Sequence, residues 1–243
     1  MMLRIVSEVS QGIIVYKTRE QGRENLYVSD KPKAGGNWKK LLDGRSRIVP
    51  YRIIWGGNYL KYGDWLWCPR DSRFFEEPKL LFIRLRNKSL ERKLIRVFDT
   101  SAFYNRDNFN NIVSKDKSYS LKYVLALFNS RLMNYWYKSH FDNVNINPEQ
   151  VRLIPIKRLS NDRQIQFVEL VDRIGVTFNR DPEASIVTLE REIDQLVYKL
   201  GVYPADLSAF SLAVGGRLTP AYVPQNVTSA GREEEIAIVE GKV

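Results

Sequence analysis

Leu80-Leu81-Phe82-Ile83-Arg84-Leu85 and, beyond a polar stretch from Arg86 to Arg92, Lys93-Leu94-Ile95-Arg96-Val97-Phe98 decide the class of fold. Short apolar runs of this kind, joined by turn-forming residues, read as a pair of strands. Arg84 and Arg96 fall late in each run, so the pair is expected to show one wet, basic face. Working back from this pair, Ile13-Ile14-Val15-Tyr16 and Leu26-Tyr27-Val28 are further β-prone runs. Lys31 to Asn37 reads as a basic loop, and Trp55-Gly56-Gly57-Asn58-Tyr59 as a glycine turn. Residues 1–114 are therefore strand-like.

Working forward, the period changes. Ser120 is placed to cap a helix carrying Leu121, Val124, Leu125, Leu127, Phe128, Leu132 and Trp136 at 3.6-residue spacing. An Asn-rich stretch, 142–148, leads into an extended piece, 151–156, and then an amphipathic helix from Asp162 to Ile174. The fold class expected is α+β, a twisted, mainly antiparallel β region followed by packed helices. From Ile186 to Leu200 the apolar positions approach heptad spacing, which suits packing on its own domain or, in a sharper reading, on a partner helix. Past Gly201 the chain turns rich in Ala, Gly, Ser and Pro. The expected division is 1–180 as the main domain, 181–200 as a C-terminal helix and 201–243 as a loosely ordered tail or insertion.

Charge is unevenly spread. Residues 1–180 hold 33 Lys/Arg and 18 Asp/Glu, a net of +15, while 181–243 hold 5 and 10, a net of −5. Basic charge concentrated in a folded segment suits a polyanion, because neutralised phosphates release condensed counterions. The single cysteine, Cys68, excludes an internal disulfide, and with one histidine it excludes a Cys/His zinc site. No signal peptide and no membrane-spanning apolar run are evident, so the expected location is cytoplasmic with no membrane partner.

Catalytic chemistry is sparse. His140, the only histidine, has no evident partner and reads as structural or solvated. Cys68 sits in the apolar Trp65-Leu66-Trp67-Cys68-Pro69, where a thiol stays protonated and inert. No glycine-rich phosphate loop occurs. Glu77-Pro78-Lys79, with Asp64 or Asp71 upstream, has the spacing of a Mg²⁺-dependent nuclease. The competing reading is a strand start at Pro78 with Lys79 on the solvent side.

Aromatic and basic residues interleave in the loops instead. Lys39, Lys40, Arg45, Arg47, Arg52, Tyr59, Lys61, Arg70 and Arg73 are the candidate DNA-binding residues. Such cations clamp phosphates or pair with guanine edges, and aromatic rings stack on a displaced base. Trp55, Trp65 and Trp67 read as core.

Five ordered motifs carry a family resemblance: Leu41-Leu42-Asp43-Gly44-Arg45-Ser46-Arg47, Phe75 to Leu81, Ser118 to Leu132, Ile146 to Ile156 and Leu189 to Tyr198. From Leu41 to Ile174, and more loosely from Gly12 to Leu200, the chain resembles the TaqI-like C-terminal specificity domain of adenine-specific DNA methyltransferases, also found in type II restriction–modification enzymes. Ser46 replaces the family's usual acid, and 201–232 intervenes before the acidic Glu233-Glu234-Glu235-Ile236. The resemblance makes Glu77-Pro78-Lys79 a structural strand entry. It implies sequence-specific binding of double-stranded DNA, with no cofactor held in this chain. S-adenosylmethionine and methyl transfer are expected in a separate methyltransferase catalytic domain or subunit, because this sequence contains no Asn-Pro-Pro-Tyr-type loop. The alternatives are a Mg²⁺-dependent nuclease using Glu77 and Lys79, and an assembly subunit.

Overall fold

A computed structural model describes residues 1–200, except 19–20, 22–25, 86–89, 91 and 142. The readings made for 201–243 and most of the 86–92 connection lie outside the described residues. The elements run α1 (Leu3–Val6), β1 (Ser7–Gln11), β2 (Val28–Ser29), β3 (Trp38–Leu42), β4 (Arg47–Val49), β5 (Arg52–Ile54), β6 (Asn58–Lys61), α2 (Arg73–Glu76), β7 (Lys79–Ile83), β8 (Val97–Asp99), β9 (Tyr104–Asn105) and β10 (Phe109–Ser114). Helices follow: α3 (Leu121–Asn129), α4 (Arg131–His140), α5 (Pro148–Arg152), α6 (Asn161–Arg180) and α7 (Val187–Lys199). The α+β expectation is borne out, with β elements first and helices packed after them.

The opening pair of runs is a true strand pair, and it lies in the first sheet, ordered β1-β10-β7-β8 and antiparallel throughout. Leu80, Phe82 and Ile112 turn one face toward α3, α4 and α6, while Leu81, Val97 and Phe109 turn the other toward Leu42 and Ile48. A strand covered on both faces needs a continuous apolar run, which is what Leu80 to Ile83 supplies. The second sheet is ordered β2-β6-β3-β9, with β3 and β9 parallel, and β4 pairs with β5 as a separate hairpin. Gly12 marks the crossing between the sheets: a Cβ there would lie 2.2 Å from the Arg106 carbonyl oxygen.

Several expectations need correction. Strand β8 starts only at Val97, because the backbone just before it bonds to asparagine side chains instead of a neighbouring strand. Arg96 N–H donates to Asn129 Oδ1 (2.8 Å), Asn129 Nδ2 returns a bond to Arg96 O (3.0 Å), and Leu94 N–H donates to Asn134 Oδ1 (2.6 Å). Arg96 does not join a wet face; it is fully buried, its guanidinium 3.6 Å from the Phe82 ring centre. Lys79 is also buried, paired with Asp99 instead of facing solvent. The single helix expected from Ser120 to Trp136 is two. Ser130 adopts an extended conformation (φ −66°, ψ 151°), ends α3 with its N–H and caps α4 with its hydroxyl, which accepts from Met133 N–H. Val151 and Arg152 belong to α5, stabilised by a capping box between Asn147 and Gln150, and Leu153 is still αR as its C-cap (φ −86°, ψ −9°), so the extended piece starts no earlier than Ile154. Helix α6 runs on to Arg180, past the expected end at Ile174, with Phe178 packed on the core.

Candidate nucleic-acid interface

Strand pleating sorts the candidate residues. In the β3–β6 register Trp38 faces Lys61 and Lys40 faces Tyr59, while Lys39 faces Leu60 and Leu41 faces Asn58. Side chains directly opposite share a face, so Trp38, Lys40, Tyr59 and Lys61 line one side. Leu41 and Leu60 are buried on the other. The Lys40 ammonium lies 5.3 Å from the Trp55 ring centre and 5.9 Å from that of Phe103. Trp55 meets Tyr59 edge-on at 5.2 Å. The lysine is thus held above aromatic rings without a carboxylate partner among the described ion pairs, so its charge stays available to an anion.

Arg45 lies at the end of the sheet, its guanidinium donating to Asn58 Oδ1 (3.4 Å). With Lys31, Lys33, Asp30, Val28, Ser29 and Asn58 it lines a recess of about 530 Å³. The turn that carries it is tightly built: Asp43 accepts from Arg45 N–H (3.0 Å) and from Asn58 Nδ2 (2.6 Å). Ser46 Oγ accepts from the N–H groups of Asp43 (3.4 Å) and Gly56 (3.1 Å). The Ser46 hydroxyl thus ties the backbone of the turn to that of Gly56. Arg47 is exposed at the start of β4.

The remaining candidates point elsewhere. Lys39 donates to Glu76 (3.3 Å), whose same oxygen accepts from Tyr104 OH (2.7 Å). The Tyr104 hydrogen bond, then Lys39, hold the Glu76 carboxyl below its usual range. Arg52 bonds the Pro182 carbonyl and Glu183 (3.2 Å) and stacks on Phe178, which fastens β5 to the end of α6. Arg70, at φ 64°, reaches toward Gly12 O (3.4 Å). Arg73 pairs with Glu8 and Asp71, and the Glu8 hydrogen bond raises its basicity. The structure brings Lys40, Tyr59 and Lys61 together, with Arg45 nearby. It does not bring Lys39, Arg52, Arg70 or Arg73 to that face.

Lys31 and Lys33, in the basic loop read from the sequence, line the recess beside Arg45, and Trp38 shares the Lys40 face. Trp65 and Trp67, read as core, are exposed. Leu66 is buried between them, in a turn that Leu66 N–H closes on Gly63 O (3.2 Å) and that leaves both indoles outside.

Glu77 and Lys79 do not form a metal site. Glu77 is exposed, Lys79 is enclosed with Asp99, and no group of His, Cys, Asp or Glu among the described residues could hold a metal ion. Among the described residues no helix is long and apolar enough to cross a membrane.

Residues 39–156 match the TaqI-like C-terminal specificity domain. The resemblance carried by the ordered motifs is borne out over these residues, just under half of the chain, and all nine candidate residues from Lys39 to Arg73 fall within the match. The closing motif, 189–198, lies outside the matched stretch. A solved structure, the HsdS subunit from Thermoanaerobacter tengcongensis, is similar at a TM-score of 0.44 and 11% identity, over 82% of this chain. The chain spans 43% of the length of that subunit. No curated protein matches.

Proposed function

We propose that this chain recognises double-stranded DNA in a sequence-specific manner, as the specificity module of a restriction–modification system acting in the cytoplasm. Methyl transfer to adenine, with S-adenosylmethionine as donor, belongs in this reading to a separate catalytic domain or subunit. The observation that carries the proposal is the basic, aromatic face of β3 and β6, which lies within the segment matching a specificity domain. Lysines on such a face would position the duplex through phosphates, and Arg45 or Arg47 could pair with guanine edges in a groove. The concentration of charge in 1–180 supports the same partner.

The test is a binding selection from random duplexes, followed by affinity measurements on the selected and a scrambled sequence. A selected site is expected to bind about a thousandfold tighter than the scrambled duplex, and both affinities to fall steeply with salt. Equal affinity for the two duplexes would remove the claim of specificity.

A further inference from the structure

Lys61, over the Trp65 ring, lies beside a second feature, a pocket of about 310 Å³ walled by Val15, Tyr16, Leu26, Tyr27, Trp65 and Trp67, with Lys17 and Gln21 at its rim. Its walls are built, not incidental. Leu66 is 3% exposed while Trp65 and Trp67 are 48% and 53% exposed: a turn closed by Leu66 N–H on Gly63 O (3.2 Å) sends Leu66 inward and leaves both indoles outside. Cys68 N–H bonds to Ile14 O (2.9 Å) and anchors that segment beside Val15. Gly63 lets the Trp65 ring fold over the backbone, since a Cβ there would lie 2.3 Å from the ring. The indole N–H of Trp65 then donates to Lys61 O (3.1 Å). Tyr16 and Tyr27 stack with centroids 5.6 Å apart and an interplanar angle of 20°, and Tyr27 lies 6.3 Å from Trp65.

Each exposed indole carries a cation: Lys17 Nζ is 4.7 Å from the Trp67 ring centre and Lys61 Nζ is 5.3 Å from that of Trp65. The walls therefore favour a flat π-system, and the lysines favour one that brings negative charge. A quaternary or methylated ammonium would be repelled by the two lysines, and an aliphatic peptide would leave them without a partner. A nucleobase with its phosphate meets both conditions. Lys61 belongs equally to the basic sheet face, so the nearest source of such a base is DNA held there. We propose that this pocket takes a nucleobase unstacked from the bound DNA, an inference that rests on the DNA reading above. The base would replace a lysine on an indole face, and the freed ammonium would pair with a flanking phosphate.

The experiment uses the full chain and two probes: a fully paired duplex, and the same duplex with one bulged 2-aminopurine. The bulged probe is expected to bind about tenfold tighter, with its emission quenched by stacking on indole. Trp67→Ala should abolish both the preference and the quenching, leave affinity for the paired duplex within about twofold, and leave the thermal midpoint unchanged; Trp67→Phe should retain part of the preference. Equal affinity for the two probes with unchanged emission would overturn the pocket and leave the DNA reading standing. So would loss of paired-duplex binding in Trp67→Ala, or displacement of the bulged probe by stoichiometric adenosine monophosphate. Failure of the wild-type chain to bind either probe would overturn both readings.

Discussion

Two side chains show how local surroundings decide what a charge does. Lys79 sits between Phe75 O and Asp99 in a site with no solvent, and burial pushes its pKa down while Asp99 pulls it back up. Asp99 also accepts from the N–H groups of Ser101 (2.8 Å) and Phe103 (3.1 Å), so it shapes the turn into β9. Asp99→Asn should cost about 3–5 kcal/mol in denaturant unfolding, because it strands a buried ammonium. Adding Lys79→Met should recover much of that loss. His140 stacks on Trp136 at 3.8 Å, its Nδ1 2.6 Å from the Trp136 carbonyl oxygen, and burial lowers its pKa to about 4. The unfolded chain binds a proton near pH 6.5 that the folded chain refuses until about pH 4. His140 therefore contributes stability that is present above pH 6.5 and is lost progressively toward pH 4. Its proton NMR titration, unobscured in a chain with one histidine, should give the low value directly, and His140→Gln should flatten stability across that range.

At the scale of elements, side-chain amides stand in for a missing strand. Asn129 and Asn134, on the α3–α4 helical pair, satisfy the backbone of 94–96 and let that segment run along the helices before β8 begins. Asn129→Ala should cost about 1–3 kcal/mol for each of the two Arg96 backbone groups it leaves unpaired, with hydrogen exchange rising first at residues 94–97. Periodicity could not reveal this, since an apolar run looks alike whether its backbone pairs with a strand or with amides. The break at Ser130 was equally hidden, because the apolar spacing continues across it. Helix α7 shows the opposite case. Ile193 and Val197 bury against the same core as α3, α4 and α6, and Glu190 and Asp194 pair with Arg92 and Arg131. Its near-heptad seam is spent on its own chain. Ile193→Ala should cost about 2–5 kcal/mol by calorimetry or denaturant unfolding.

For the whole molecule, the proposed function turns on which of many cations would meet DNA. Each phosphate neutralised contributes close to one unit of slope in a plot of log affinity against log salt. The double variant Lys40→Ala/Lys61→Ala should lower that slope by about 2. Arg52→Ala, whose guanidinium is held by Glu183 and Pro182, should leave it unchanged while loosening β5 from α6. An unaltered slope in the double variant would move the interface away from β3 and β6. Composition, charge asymmetry and the five ordered motifs were sufficient to read the α+β class, the early β region, the helices after it and the specificity-domain resemblance, since these depend on local periodicity and on residue order. Selection among the basic residues was decided only in three dimensions. Lys39 and Lys40 are adjacent in sequence and carry the same charge, yet the pleat of β3 turns one toward Glu76 and the other onto Trp55. Trp65 and Trp67 lie outward for a different reason, a turn closed on Gly63 O that gives Leu66 to the core. Which face of a strand meets solvent depends on its register with distant strands, and that register is a property of the assembled sheet.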